Sequence, residues 1–361
     1  MRFRLIALLL ATLFLLDACG PGQPDEPGAI RFTEVPLPAG AKPMVLTPVG
    51  DALLIGTRRD GAPVVPGLLR LDADGKPADV PVTPAGMYGE EALWYSIAAS
   101  PSRIVGIGGK TGGAHGNVRW SIWGGSSAGL TETPQPITTF GGYGGGNLLD
   151  AVLTPTGPAL IGTWQNPTVG LDIMVWLPDG KYWARQPVAG TALENRTDSL
   201  KFPLAATSAG DGAVIAGWEL SDGRQHPAIW RSRTGVTGWT MTRLPADGPG
   251  AALSVSCPDS TCTAAGWVDG NLALWTLSGD RWTRVANVPR VPVPENTALS
   301  SPVTVEDHPT SILNRGDDVV VASTSARPAT GPTGKVVAAA RVGRTLYVAT
   351  EDKLWEADVP A

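Results

Sequence analysis

The chain has 361 residues, of which 43% are apolar and 17% charged, and its net charge is −5. That balance excludes disorder, which goes with low hydrophobicity and high net charge, and it offers no basic field to nucleic acid or anionic lipid. Its 45 Gly and 33 Pro fall between short apolar runs as turn residues, so the chain reads as strand-rich, and one all-β domain can absorb this length.

The N-terminus opens with a basic Met1-Arg2-Phe3-Arg4, an apolar run at residues 5–16, and then Leu16-Asp17-Ala18-Cys19. The run is too short for a permanent membrane span and reads as a secretory signal. It resembles a bacterial lipoprotein signal: Leu16, Ala18 and Cys19 fit the lipobox, while Asp17 departs from it, since a small or apolar residue is usual there. The resemblance implies removal of residues 1–18 and a diacylglyceryl group on Cys19. It also implies a palmitate-bearing lipoprotein anchored in the membrane, with its folded part on the extracytoplasmic face of the cell envelope. Residues 19–28 carry the lipidated cysteine and a Pro/Gly tether, and residues 29–361 form the domain.

From residue 30 onward a unit of about four short strands recurs. Residues 30–37 match a fourth strand, with Phe32 at the place where later copies carry Trp. Copies follow at 45–82, 95–137, 149–187, 204–245 and 251–289, and a final three-strand copy lies at 336–359. The 251–289 copy is the clearest, with strands near 253–256, 263–268, 272–277 and 282–289. Tryptophans fall in columns: Trp164, Trp218 and Trp267 on second strands, Trp123, Trp176, Trp230, Trp275 and Trp355 on third strands, and Trp183, Trp239 and Trp282 on fourth strands. These are eleven of the 13; Trp94 and Trp120 stand outside. A repeated four-stranded sheet means a β-propeller. The expectation is seven blades, with 290–333 as a degenerate sixth, or six without it. The N-terminal strand completes the last blade and closes the ring, which removes a free sheet edge. The third- and fourth-strand tryptophans are expected in the core, where they bury the most apolar surface.

With Cys19 lipidated, Cys257 and Cys262 remain as a pair in an oxidising compartment, flanking the first hairpin of the 251–289 copy. A disulfide is expected, and the spacing does not suit zinc. This hairpin, SCPDSTCTAAGW, resembles the Cys-Pro hairpin of secreted bacterial propellers related to the Asp-box group. Ser278-Gly279-Asp280-Arg281-Trp282 and Asp179-Gly180-Lys181-Tyr182-Trp183 resemble eroded Asp-box turns of the sialidase-like superfamily. That resemblance implies a propeller and in some members a glycosidase, but no residues here match the family's arginine triad or its Tyr/Glu pair.

Catalytic signals are weak. His115, His226 and His308 read as loop histidines without metal spacing. Asp72-Ala73-Asp74-Gly75 lacks the later ligands of a calcium loop and reads as a turn between third and fourth strands. Glu90-Glu91 would point to opposite faces of a strand. The glycines at 141–146 precede a strand rather than a helix, and Gly124-Gly125-Ser126-Ser127 lacks a nucleophile-elbow context. No cofactor or metal is expected. The loops between second and third strands, at 58–67, 109–117, 165–170 and 219–227, mark the expected binding face, with Trp164, Trp218, Trp267 and Arg58 at its rim. The function expected is a non-enzymatic binding or scaffold module, tethered to the membrane as a monomer, for a protein or a cell-wall glycan. The alternative is a glycan-active hydrolase or lyase.

Overall fold

A computed structural model describes residues 29–61, 65–112, 116–141, 145–258, 261–294 and 297–360. The described chain forms seven sheets in a ring, a seven-bladed β-propeller. Blade 1 consists of Ala41–Val49, Ala52–Arg59, Val65–Leu71 and Pro77–Asp79, blade 2 of Leu93–Ser100, Arg103–Thr111, Val118–Ser126 and Gly129–Glu132, and blade 3 of Gly146–Thr154, Gly157–Gln165, Leu171–Asp179 and Tyr182–Arg185. Blade 4 is built from Leu200–Ala209, Gly212–Ser221, Arg224–Ser232 and Thr240–Arg243, and blade 5 from Gly250–Ser256, Thr263–Val268, Asn271–Ser278 and Arg281–Arg284. The region without a third-strand Trp is a full blade 6, Val303–Val305, His308–Arg315, Asp318–Ala322 and Ala326–Thr330. Its third strand fills with Val319, Val320 and Val321 in place of an indole.

Blade 7 closes the ring. Val336–Val342, Thr345–Thr350 and Leu354–Asp358 are joined by Thr33–Val35, which pairs antiparallel to residues 354–356. Immediately before it, Ile30–Arg31 adds a parallel strand to the outer edge of blade 6. The N-terminal segment therefore stitches two blades together, and the buried Phe32 and Val35 seat it in separate apolar clusters.

All five third-strand tryptophans are buried. Trp176 and Trp275 each donate from Nε1 to a carbonyl of the connection leading in from the preceding blade, Thr139 O at 3.1 Å and Pro245 O at 2.9 Å. Trp230, at the same place in blade 4, is fully buried and its Nε1 has no partner among the described residues. Trp275→Phe should therefore cost about 1–3 kcal/mol beyond lost packing, because it strands the Pro245 carbonyl. Trp230→Phe should lack that penalty. Urea midpoints at unchanged m-value check the difference.

The first strands are innermost and touch one another around the channel. Their side chains join neighbouring blades: Thr47 Oγ1 donates to Ile97 O, Ser96 Oγ accepts from Ala151 N, Asp150 Oδ2 from Ala206 N, and Ser254 Oγ donates to Ser300 O. Six of the seven first strands also carry a β-bulge, whose extra residues are Met44, Tyr95, Leu149, Leu204, Leu253 and Val337. Each lies near the strand's start, on the face of the second-to-third-strand turns.

Candidate functional site

The turns between second and third strands share one face with the connections between blades. Two of the four loops expected to be long there bracket undescribed residues, 62–64 and 113–115. The loop expected at 219–227 is absent. The strands run to Ser221 and resume at Arg224, and Asp222 (φ 51°) and Gly223 (φ 68°) make a two-residue turn. Left-handed conformations at both central residues are what a tight hairpin of this twist requires. His226 consequently lies in a strand, paired with Glu219, and His308 opens a strand of blade 6. His115 and Cys19 fall outside the described residues. Glu90 ends a single helical turn, Met87–Glu90, with Glu91 just after it, so the pair is not on a strand, and Glu91 is ion-paired with Lys110.

The expected rim residues lie toward the ends of second strands in four blades, each engaged differently. Trp164 is half-buried under the Arg185 guanidinium, 3.9 Å from its ring centroid. Trp218 is stacked on Phe202 with ring centroids 3.9 Å apart. Trp267 is only 8% exposed and packs with Leu272, Val291 and Val293. Arg58 Nε lies 3.2 Å from Asp60 Oδ1, and Lys42 shares that carboxylate. Cys257 and Cys262 are disulfide-bonded across the first hairpin of blade 5.

The face carries two features that the sequence reading did not single out. One is the channel mouth. The bulge residues Tyr95, Leu204 and Val337 are 41%, 40% and 37% exposed. These bulges stand where the innermost strands reach the turn-bearing face, and Tyr95 there packs edge-on against Trp120 across its own blade, ring centroids 4.9 Å apart.

The other is a cleft of about 500 Å³ between blade 4 and the connection leading to it from blade 3. Asn195 in that connection donates from its side chain to Leu171 O, while its backbone N–H donates to Asp172 Oδ1; its own Oδ1 accepts from the Lys201 backbone. Both blades thus pin the connection. Lys201 and Glu219 are cross-strand partners on the face turned toward blade 3. The Glu219 side chain is 3% exposed. It accepts from Ser199 Oγ (2.5 Å) and Arg243 Nε (2.6 Å), while Arg243 Nη2 reaches Ser221 Oγ. Lys201 Nζ donates to Glu194 O at 2.5 Å and to the Ser199 carbonyl and hydroxyl.

Burial pushes the Glu219 carboxyl up, but the Arg243 guanidinium and the Ser199 hydroxyl outweigh it and hold the group below the usual carboxylate range. Burial lowers Lys201, with Glu219 opposing. A carboxylate held low is a weak base. The cluster is therefore suited to fixing hydrogen-bonding groups in place rather than to moving protons.

Asp150 shows the opposite balance. Burial raises its carboxyl from 3.8 to about 6, against the bonds from Ala206 and Ser96. The charged form is the disfavoured one, so this contribution to stability is complete below pH 3.8 and is lost as pH rises through about 6. Asp150→Asn keeps an acceptor for Ala206 N–H and removes the titration. It should raise stability at pH 7 by roughly 2–3 kcal/mol and leave it unchanged near pH 3, as read from thermal unfolding across that range.

Among the described residues no group of three or more His, Cys, Asp or Glu is placed to hold a metal ion, and no helix is long and apolar enough to cross a membrane. No family model and no curated protein matches the chain. Solved structures do. A puromycin hydrolase is 16% identical with a TM-score of 0.57 over 88% of this chain and 52% of its own, so this chain spans about half of it. Virginiamycin B lyase from Staphylococcus aureus is 13% identical with a TM-score of 0.52 over 91% and 99%. The β-propeller domain of the Trilobed protease from Pyrococcus furiosus is 9% identical with a TM-score of 0.51 over 90% and 97%. At these identities the likeness is one of architecture, and it places the chain among the β-propellers.

Proposed function

We propose that the protein is a recognition module, lipid-anchored through Cys19 on the extracytoplasmic side of a bacterial membrane, that takes a protein or cell-wall glycan on the face of the second-to-third-strand turns. The observation that carries this reading is the channel mouth. Six successive first strands spend a bulge on presenting an apolar residue there, and three of these side chains stay more than a third exposed. Exposed apolar side chains set around one face mark a surface that a partner covers.

A hydrolase reading is favoured by one arrangement, the Ser199 hydroxyl set between Glu219 and Lys201 in an open cleft. The depressed Glu219 carboxyl and a Lys201 ammonium held by two carbonyls weigh against it.

A cell-wall and glycan-array pull-down with the full chain, compared with Leu204→Ser/Val337→Ser and with Asp222→Gly, tests the reading. Binding lost in one of these variants while it keeps its thermal unfolding profile is the expected result. Undiminished binding in both variants, or turnover of a bound glycan that Ser199→Ala abolishes, would overturn it. Cys19→Ala should release the protein from membranes, and continued membrane attachment would remove the anchor from the proposal.

A further inference from the structure

The geometry points to the cleft beside blade 4 as a saccharide site that takes an uncharged oligosaccharide through vicinal hydroxyls. This inference rests on the turn-bearing face being the recognition face but not on the channel mouth. The volume, about 500 Å³, lies within the range of pockets that enclose small organic ligands, roughly 300–1,000 Å³.

Its polar groups are arranged in a particular way. Glu219 and Arg243 are already bonded to each other, and Arg196 is bonded to Asp198, so the two clearest ion pairs of the lining leave little net charge. Lys201 is the remaining cation, and Asp222 and Glu194, whose carboxylate accepts from the Gly190 N–H, are the remaining anions. An anionic ligand entering the cleft would meet Asp222 and Glu219, and a cationic one Lys201 and Arg243. A ligand without charge meets neither conflict.

Unused hydrogen-bonding capacity is of both kinds. Arg243 Nη1 and the Asp222 carboxylate have no partner among the described residues, and Ser221 Oγ accepts from Arg243 while its own proton is unassigned. A sugar hydroxyl gives one hydrogen bond and takes others. Two neighbouring hydroxyls can therefore bridge a guanidinium and a carboxylate at once, which a single-function donor or acceptor cannot. Met241 supplies apolar lining for the C–H face of a ring. The preformed network pinning Asn195, Lys201 and Glu219 keeps the ordering cost on binding low.

Calorimetry of the full chain with neutral oligosaccharides, and with the same backbones carrying carboxylate or amine groups, tests this. Neutral oligosaccharides should bind with an affinity insensitive to added salt. Asp222→Gly should weaken them by about tenfold or more, and glycine suits the left-handed backbone at this turn position, so the hairpin survives. Leu204→Ser should leave this binding intact. The inference is overturned by a preference for the charged backbones, by equal affinity in Asp222→Gly, or by no neutral binding at about millimolar ligand. Loss in Leu204→Ser alone would move the glycan to the channel mouth and leave the recognition reading standing.

Discussion

Deleting residues 29–39 is expected to abolish the cooperative fold. The segment supplies the outer strand of blade 7, Thr33–Val35, and the parallel strand on blade 6, Ile30–Arg31. Phe32 and Val35 are each 4% exposed, and burying side chains of that kind contributes about 1.5–3 kcal/mol apiece. Losing both, with two strand pairings, removes about 5 kcal/mol from a domain whose total stability is on the order of 5–15 kcal/mol. It also uncovers the edge of Leu354–Asp358. Size-exclusion chromatography and thermal unfolding should show aggregation and loss of the sharp transition, and a peptide of residues 29–39 added in trans should restore part of it. A truncated chain that unfolds at the wild-type temperature would dispose of closure by this segment.

Glu219→Ala should cost about 3–5 kcal/mol, because Arg243 then loses its ion-pair partner and Lys201 the nearby carboxylate charge that favours its ammonium form. The two cations differ in consequence. Arg243 is 44% exposed and can turn to water, whereas Lys201 is 6% exposed and cannot. Glu219→Ala with Lys201→Met should therefore recover much of the loss, a coupling that a double-mutant cycle reads directly. The pH signature is opposite to that of Asp150. Glu219 stabilises above pH 4.5, and that contribution is lost as pH falls through its depressed folded value. Asp150 loses stability as pH rises toward about 6. Wild-type stability should peak where the two ranges meet, and Asp150→Asn should extend that maximum on its alkaline side only.

The blades were legible because tryptophans recur at fixed places in each unit, and a buried indole is hard to substitute without leaving a void. Blade 6 was harder to read because Val319–Val321 replaces the indole, although its strand pattern survived. The bulges were not read, yet a trace exists. Leu148-Leu149 before Asp150, Pro203-Leu204 before Ala205 and Trp94-Tyr95 before Ser96 each place two apolar residues together where strict alternation allows one. An adjacent apolar pair followed by a small or polar residue is the mark of an inserted residue that resets the face of everything after it. The polar cleft was invisible for a different reason. Ser199, Lys201, Glu219 and Arg243 come from three strands and a connection, and their meeting depends on two registers. Reading Asp222-Gly223 as a long loop displaced Glu219 and His226 from the strands they occupy. As a tight turn the same dipeptide aligns Glu219 with His226, but only the bulge at Leu204 brings Lys201 opposite Glu219.

The seam has a kinetic side. On a chain made from its N-terminus, residues 30–35 emerge first, while their partners at 326–330 and 354–358 come last. Five blades can assemble by local hairpins while this short segment waits unpaired, and blade 7 forms only when the two ends of the domain meet. Closing so large a loop is slow compared with zipping a hairpin. Completion of the ring should therefore be a distinct late step, during which an apolar strand and an open sheet edge are exposed together and need the attention of a chaperone.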